Sequence, residues 1–283
     1  MPTPEEIALA RIRDAAENGD TELDLSRLGL TALPPEIGRL TSLQGLNLRS
    51  NQLNALPPEI SRLTSLQALY LSGNQIIVLT PKLWCLPNLV SLDISFNPLP
   101  EIPPELWQKK DWKELGLGGL RLTALPSEIG QLTSLQSLDL RRNQLTVLPP
   151  EIGKLTSLQK LYLQDNQLTA LPPEIGQLIS LQILDLSRNR LIALPPEIGK
   201  LTSLSRLDLG SNHLATLPSE IGQIIGLQKL DLSYNHLTAL DPKMEQLTNL
   251  AILNLLGNPL TLTLPHRLVN EAAKSIDPDD YLG

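Results

Sequence analysis

Apolar side chains recur along the chain at seven fixed positions of a 23-residue unit. In the stretch LQSLDLRRNQLTVLPPEIGKLTS they are Leu135, Leu138, Leu140, Leu145, Leu148, Ile152 and Leu155. Nearly the same string returns at Leu158 and Leu181, and units open every 23 residues from Leu43 to Leu250, with Trp112 in place of leucine once. A fixed period in this range marks a solenoid, in which each unit buries its apolar face against its neighbours. The fourth and sixth positions alternate with polar residues, the period-two pattern of a short strand with one buried face. A Pro-Pro pair at positions fifteen and sixteen cannot lie inside a sheet, so the chain turns there. Glu-Ile-Gly then predicts one helical turn with its glutamate near the positive N-terminal end.

Position nine is asparagine in nearly every unit: Asn51, Asn74, Asn97, Asn143, Asn166, Asn189, Asn212, Asn235 and Asn258. A polar residue repeated among buried leucines must be hydrogen-bonded, and its amide can serve the backbone where the chain bends away from the strand. These asparagines are read as structural. Two units break the rule, with Leu28 and Leu120 at that position. The stretch 106–120, which contains WQKKDW and several glycines, reads as an irregular seam. It is either a tolerated degenerate repeat or a looser, ligand-contacting joint.

Residues 1–19 form a predicted capping helix: Thr3-Pro4-Glu5-Glu6 is a capping box with proline at the first helical position, and Asn18-Gly19 is a stop. Leu9, Ile12 and Ala16, with Ala8 and Ala15, make its apolar stripe. Repeats, about eleven of them, are assigned to 20–264, and 265–283 to a C-terminal cap with an acidic tail.

The recurring pattern LxxLxLxxNxLxxLPxEIGxLxS resembles the leucine-rich repeat in its intracellular, 23-residue form. The resemblance implies an α/β fold, a right-handed horseshoe solenoid with a parallel sheet on the concave face and short helical turns on the convex face. The LPxEIGxL form is similar to the repeats of intracellular scaffolds that associate with small GTPases, and to the repeat region of bacterial Roco-type GTPases. It implies a non-enzymatic protein-interaction module whose partner is a protein, a small GTPase or GTPase domain among the candidates. The alternatives are a sensing arm of a larger signalling enzyme and a bacterial effector that binds a host protein.

Charge and composition narrow this further. The formal net charge of −7 argues against nucleic acid and anionic membrane surfaces as partners, since both reward clustered lysine and arginine. No apolar run reaches the roughly 20 residues of a membrane helix. One cysteine, Cys85, and no Asn-x-Ser/Thr sequon point to a reducing, cytoplasmic setting. No catalytic constellation is present. Gly153-Lys154 and Gly199-Lys200 are followed by core leucines, not by the hydroxyl that a phosphate loop needs, so no cofactor is expected. His213 and His236 share position ten of adjacent units, either as a solvated pair or as part of a metal site, and no metal is assigned.

What is left is the outward-facing set at positions three, five, seven and eight. Position five carries a run of aspartates that would repel one another and need cations nearby, which Lys160, Arg206 and Lys229 at position three, Arg141 at position seven, and Arg142 and Arg188 at position eight can supply. One reading is a solvated, self-neutralising ladder, the other a docking surface. Within this polar ladder, tyrosine mixed with arginine is the composition of a docking surface. The candidate partner-binding residues are Arg141, Arg142, Tyr162, Asp185, Arg188, Arg206 and Asp208, with a second patch at Arg49, Tyr70 and Phe96. Oligomeric state is left open by the sequence.

Overall fold

Each 23-residue period folds as a three-residue strand, a tight turn and a short helical return, because the seven apolar positions can all reach one interior only in that path. The computed structural model describes residues 2–261, so the cap and tail assigned to 265–283 lie outside the described residues. Two compact units divide the chain, Met1–Leu120 and Arg121–Gly283.

The first unit opens with helix α1, Pro4–Asn18. Thr3 Oγ1 accepts the Glu6 N–H at 3.1 Å while Glu6 returns a carboxylate oxygen to the Thr3 N–H at 2.8 Å, and Gly19 ends the helix at φ 70°. The helix buries Ala8, Ile12 and Ala15. Leu9 stays half-buried and Ala16 is exposed, so the apolar stripe is narrower than the sequence pattern suggested. Arg11 donates to the Asp24 carbonyl at 2.9 Å, and Glu5 accepts both the N–H and hydroxyl of Thr31, which hold its carboxyl below the usual range. These bonds tie α1 to the first repeat.

Strands β1 (Glu22–Asp24), β2 (Gly45–Asn47), β3 (Ala68–Tyr70), β4 (Ser91–Asp93) and β5 (Glu114–Gly116) pair in parallel, each with its sequence neighbour. In the second unit β6 (Ser137–Asp139), β7 (Lys160–Tyr162), β8 (Ile183–Asp185), β9 (Arg206–Asp208), β10 (Lys229–Asp231) and β11 (Ile252–Asn254) do the same. The register never slips: Leu161 faces Leu184, and Leu184 faces Leu207. A one-residue slip would turn every leucine out to water.

Opposite the strands, most repeats return through a five-residue 3-10 turn such as Pro150–Lys154 or Pro173–Gln177. The glycine in these turns is a packing requirement. A Cβ at Gly176 would come within 2.5 Å of the Glu197 carbonyl oxygen of the next turn. One return differs: Pro104–Gln108 is α-helical (α2), ahead of Trp112, which replaces the first leucine. Trp112 is fully buried, and its indole N–H donates to the Leu106 carbonyl at 2.9 Å, so the larger ring enters the core without an orphaned donor.

The asparagines act as the sequence reading expects. In the second unit, Asn166 Oδ1 accepts the Leu145 N–H at 3.0 Å, and its Nδ2 donates to the carbonyls of Leu140 and Leu163. In the first, Asn74 makes the matching bonds to Leu53, Leu48 and Leu71. Each amide thus fastens its own turn to the one before it. Where leucine replaces the first asparagine, at Leu28, the turn is held from outside, since Asn51 Oδ1 accepts the N–H of both Leu28 and Leu30.

Candidate functional site

With the apolar positions and asparagines committed to the interior, the side chains free to vary lie on the outer face of each sheet and along the turn that leaves it. Two local rules place them. Position five ends the strand, and its side-chain oxygen accepts the N–H of position seven: Asp139 from Arg141, Asp185 from Ser187, Asp208 from Gly210 and Asp231 from Ser233. This is an Asx turn, which a short carboxylate or carboxamide makes readily. Position eight is left-handed, at φ 53° in both Arg142 and Arg188 and 56° in Asp165, so its side chain leaves the turn in a fixed direction.

In the second unit, Arg141 Nε sits 2.7 Å from Asp139 Oδ2, with its guanidinium 5.9 Å from the centre of the Tyr162 ring. Arg142 and Arg188 approach the Asp165 carboxylate from either side, each at 3.7 Å. Asp185, Asp208 and Asp231 are direct register partners on β8, β9 and β10, and they are buried, Asp208 being only 3% exposed. The expectation of a solvated, neutralised aspartate ladder is therefore corrected for these three. Folding each carboxylate back onto its own turn withdraws it from water, and Arg141, Arg142 and Arg188 meet Asp139 and Asp165 instead.

The electrostatics follow from that burial. Loss of solvent pushes the Asp185 carboxyl up, against the opposing pull of the Ser187 hydroxyl and N–H and of Arg206 and Arg141. Asp208 is pushed up to about 7, first by burial and then by the charges of Asp185 and Asp231, while the Gly210 N–H and Arg206 oppose the rise.

In the first unit, Arg49 lies 4.2 Å above the centre of the Tyr70 ring and reaches Asp93 at 3.0 Å. Phe96, 40% exposed, is left-handed at φ 55°, and its ring lies over Gly119, where a Cβ would collide with it. Arg49 and Tyr70 thus form one contact pair, with Asp93 as the third member that the sequence reading had not placed there.

Two more residues were missed. Asp165, which joins Arg142 to Arg188, was hidden because position eight was treated as a source of cations for position five. Gln164 Oε1 is buried without a hydrogen-bond partner. The signal for it was a long amide at position seven, where other repeats place serine, glycine, arginine or, at Leu256, leucine. His213 and His236 stack with ring centres 5.5 Å apart and 6° between planes. Among the described residues no group of three or more His, Cys, Asp or Glu has metal-binding geometry, and no helix is long and apolar enough to cross a membrane.

Family models match most of the chain. A leucine-rich repeat region matches residues 151–255, a leucine rich repeat matches 21–76 and 113–168, and a two-copy leucine rich repeat matches 64–105. No curated protein sequence matches significantly. Among solved structures, a leucine-rich repeat protein of Leptospira interrogans is 35% identical over 86% of this chain and 79% of its own, at a TM-score of 0.47. The functional domain of InlJ from Listeria monocytogenes is 26% identical over 87% of this chain and 51% of its own, at a TM-score of 0.73. The Arabidopsis receptor kinase HAESA, solved with a peptide hormone and a co-receptor, is 30% identical over 86% of this chain and 43% of its own, at a TM-score of 0.72. The chain spans about half or less of the internalin and the receptor kinase. Its repeat pattern, its sheet register and these matches agree: the chain belongs to the leucine-rich repeat family.

Proposed function

We propose that the chain is a non-enzymatic interaction module that holds a protein partner on its exposed sheet face, the concave face of the repeat fold. The centre of the surface is Arg141, Arg142, Tyr162, Arg188 and Arg206, from which the buried Asp185 and Asp208 drop out, and Arg49, Tyr70 and Phe96 form a second patch. The observation that supports this most is the placement of Arg141, in the turn that leaves β6, beside Tyr162 on the registered neighbour β7. Tyrosine and arginine dominate binding hot spots, and a pre-ordered scaffold spares the partner the entropy cost of fixing loops. HAESA, with its bound peptide hormone, offers a precedent for ligand binding by a similar array. The resemblance of the LPxEIGxL repeats to GTPase-associated scaffolds makes a small GTPase or GTPase domain the first partner class to present. In a regulatory repeat region of a larger Roco-type enzyme, the same face would engage that enzyme's own domain.

The test is a partner captured from native lysate, its affinity then measured by titration against the purified chain. Tyr162→Ala with Arg188→Ala should weaken that affinity by at least about tenfold, with the circular-dichroism melt retained. Unchanged affinity would overturn the assignment.

A further inference from the structure

A second charged feature runs along the turns that leave the strands, beside the sheet face. Positions eight and ten of successive repeats form two rows there, fixed by backbone hydrogen bonds. The Arg188 N–H donates to the Gly210 carbonyl at 2.8 Å and the Arg190 N–H to Leu168 at 2.9 Å, and equivalent bonds repeat in neighbouring turns. In the second unit these rows hold Arg121, Arg142, Arg188 and Arg190, followed by the stacked pair His213 and His236, against a single carboxylate, Asp165. The guanidinium-bearing side chains of Arg142 and Arg188 are 65% and 69% exposed, and both approach Asp165 at 3.7 Å. In the first unit the same rows carry one cation, Arg27.

One observation separates this edge from an ordinary solvated surface: the chain has a formal net charge of −7, so a cationic edge reverses the prevailing sign. Position eight is left-handed in every repeat, with Ser50, Phe96, Asp165, Ser211 and Tyr234 among its occupants, so the turn itself fixes the direction in which Arg142 and Arg188 leave it.

We propose that this edge, centred on Arg142, Arg188 and Arg190, docks an acidic, extended segment of a partner protein, whose carboxylates enter between the guanidiniums in competition with Asp165. Charge complementarity names the occupant: exposed arginines steer and bind carboxylates with little desolvation. A nucleic acid would carry a continuous line of phosphates past the part-exposed Asp139 and Asp165, whereas a peptide can present its charges singly. The edge shares Arg142 and Arg188 with the surface proposed above but not Tyr162, so Tyr162→Ala tests the two apart.

The experiment uses the full chain and a fluorescein-labelled peptide of about twelve residues alternating glutamate with serine, followed by fluorescence anisotropy at ~50 mM and ~300 mM salt. The triple variant Arg142→Ser, Arg188→Ser, Arg190→Gln installs the residues that Ser50, Ser211 and Gln167 already place in sister repeats, so its melt should match the parent. We expect peptide affinity to fall by at least about tenfold in the triple variant, and by a similar factor in the parent at high salt. Asp165→Asn, which removes the competing carboxylate, should tighten binding by about twofold or more, and Tyr162→Ala should leave it unchanged. No measurable binding by the parent, equal binding by the triple variant, or tighter binding of a single-stranded oligonucleotide of equal charge would each overturn the proposal. Loss of the peptide in Tyr162→Ala alone would overturn the edge and leave the sheet-face reading standing.

Discussion

Arg49 and Arg141 occupy position seven of repeats four periods apart, and each is followed by a tyrosine and then an aspartate at position five, Tyr70 and Asp93 in one case and Tyr162 and Asp185 in the other. Their side chains nevertheless take different routes. Arg49 stretches across the Tyr70 ring to Asp93, and Arg141 turns back to Asp139 at 2.7 Å. The deciding residue is position five of the arginine's own repeat. Asn47 offers a neutral amide oxygen, which the Arg49 N–H already uses, whereas Asp139 offers a charged oxygen two residues away. A charge-assisted bond is roughly twice as strong as a neutral one, so the nearer carboxylate captures the guanidinium. Asp185 is then left to the weaker pull of Arg206 and the diverted Arg141, and burial governs its ionisation.

This comparison presumes an equivalent scaffold beneath both regions, and the largest expected effects test that premise. Asn74→Ala and Asn166→Ala each strand backbone groups of two adjacent turns, and each should cost on the order of 3 kcal/mol in chemical denaturation. Clearly unequal losses would show that the two regions do not rest on the same frame.

Next in size is Asp208→Asn. A folded-state pKa raised to about 7 means that the folded chain holds the proton more tightly than the unfolded chain does. The stabilisation it brings is complete below about pH 4 and is lost as pH rises towards 7. Asparagine keeps an acceptor for the Gly210 N–H, so the variant should exceed the parent by on the order of 3 kcal/mol at pH 8 and match it at pH 4. Asp93→Asn, which gives up the partner of Arg49, should instead lower stability at pH 8 by about 0.5 kcal/mol. Thermal melts at the two pH values decide both, and a gain for Asp208→Asn that persists at pH 4 would exclude the linkage.

Exchanging the deciding residue should exchange the routes. Asp139→Asn frees Arg141 to cross Tyr162 towards Asp185, whose carboxyl should then titrate lower when followed by NMR. Asn47→Asp should draw Arg49 off Asp93. The smallest effect concerns the rings: at 4.2 Å against 5.9 Å, Tyr70→Leu should cost about 0.5 kcal/mol more than Tyr162→Leu in equilibrium unfolding.

Most of the frame was legible because its residues have a single inexpensive use. A leucine at a recurring apolar position belongs inside, a buried asparagine at a bend must bond the backbone, and Thr3-Pro4-Glu5-Glu6 can hardly do other than cap a helix. The surface was less legible because its charges choose among partners by distances that a string of letters does not carry. Asp185, Asp208 and Asp231 looked like solvated neighbours of arginine, yet each folds back onto its own turn. The pattern Asp-Leu-Ser or Asp-Leu-Gly after each strand was the available sign of an Asx turn. Arg142 and Arg188 were assigned to those aspartates but meet Asp165 in their own row, because a left-handed turn carries their side chains away from the strand. Glycines at 73, 119 and 257, in the same position, were the clue to that conformation.

Within each unit, the unslipped pairing of a strand with the one 23 residues on also limits how far a substitution can be felt. The Arg49–Asp93 bridge spans 44 residues, about two repeats. Energetic coupling between surface positions should therefore be confined to residues one or two repeats apart and become additive beyond that. A combinatorial library over this surface could then be selected in overlapping blocks of three repeats and recombined, with the fitness of the whole recovered from its parts.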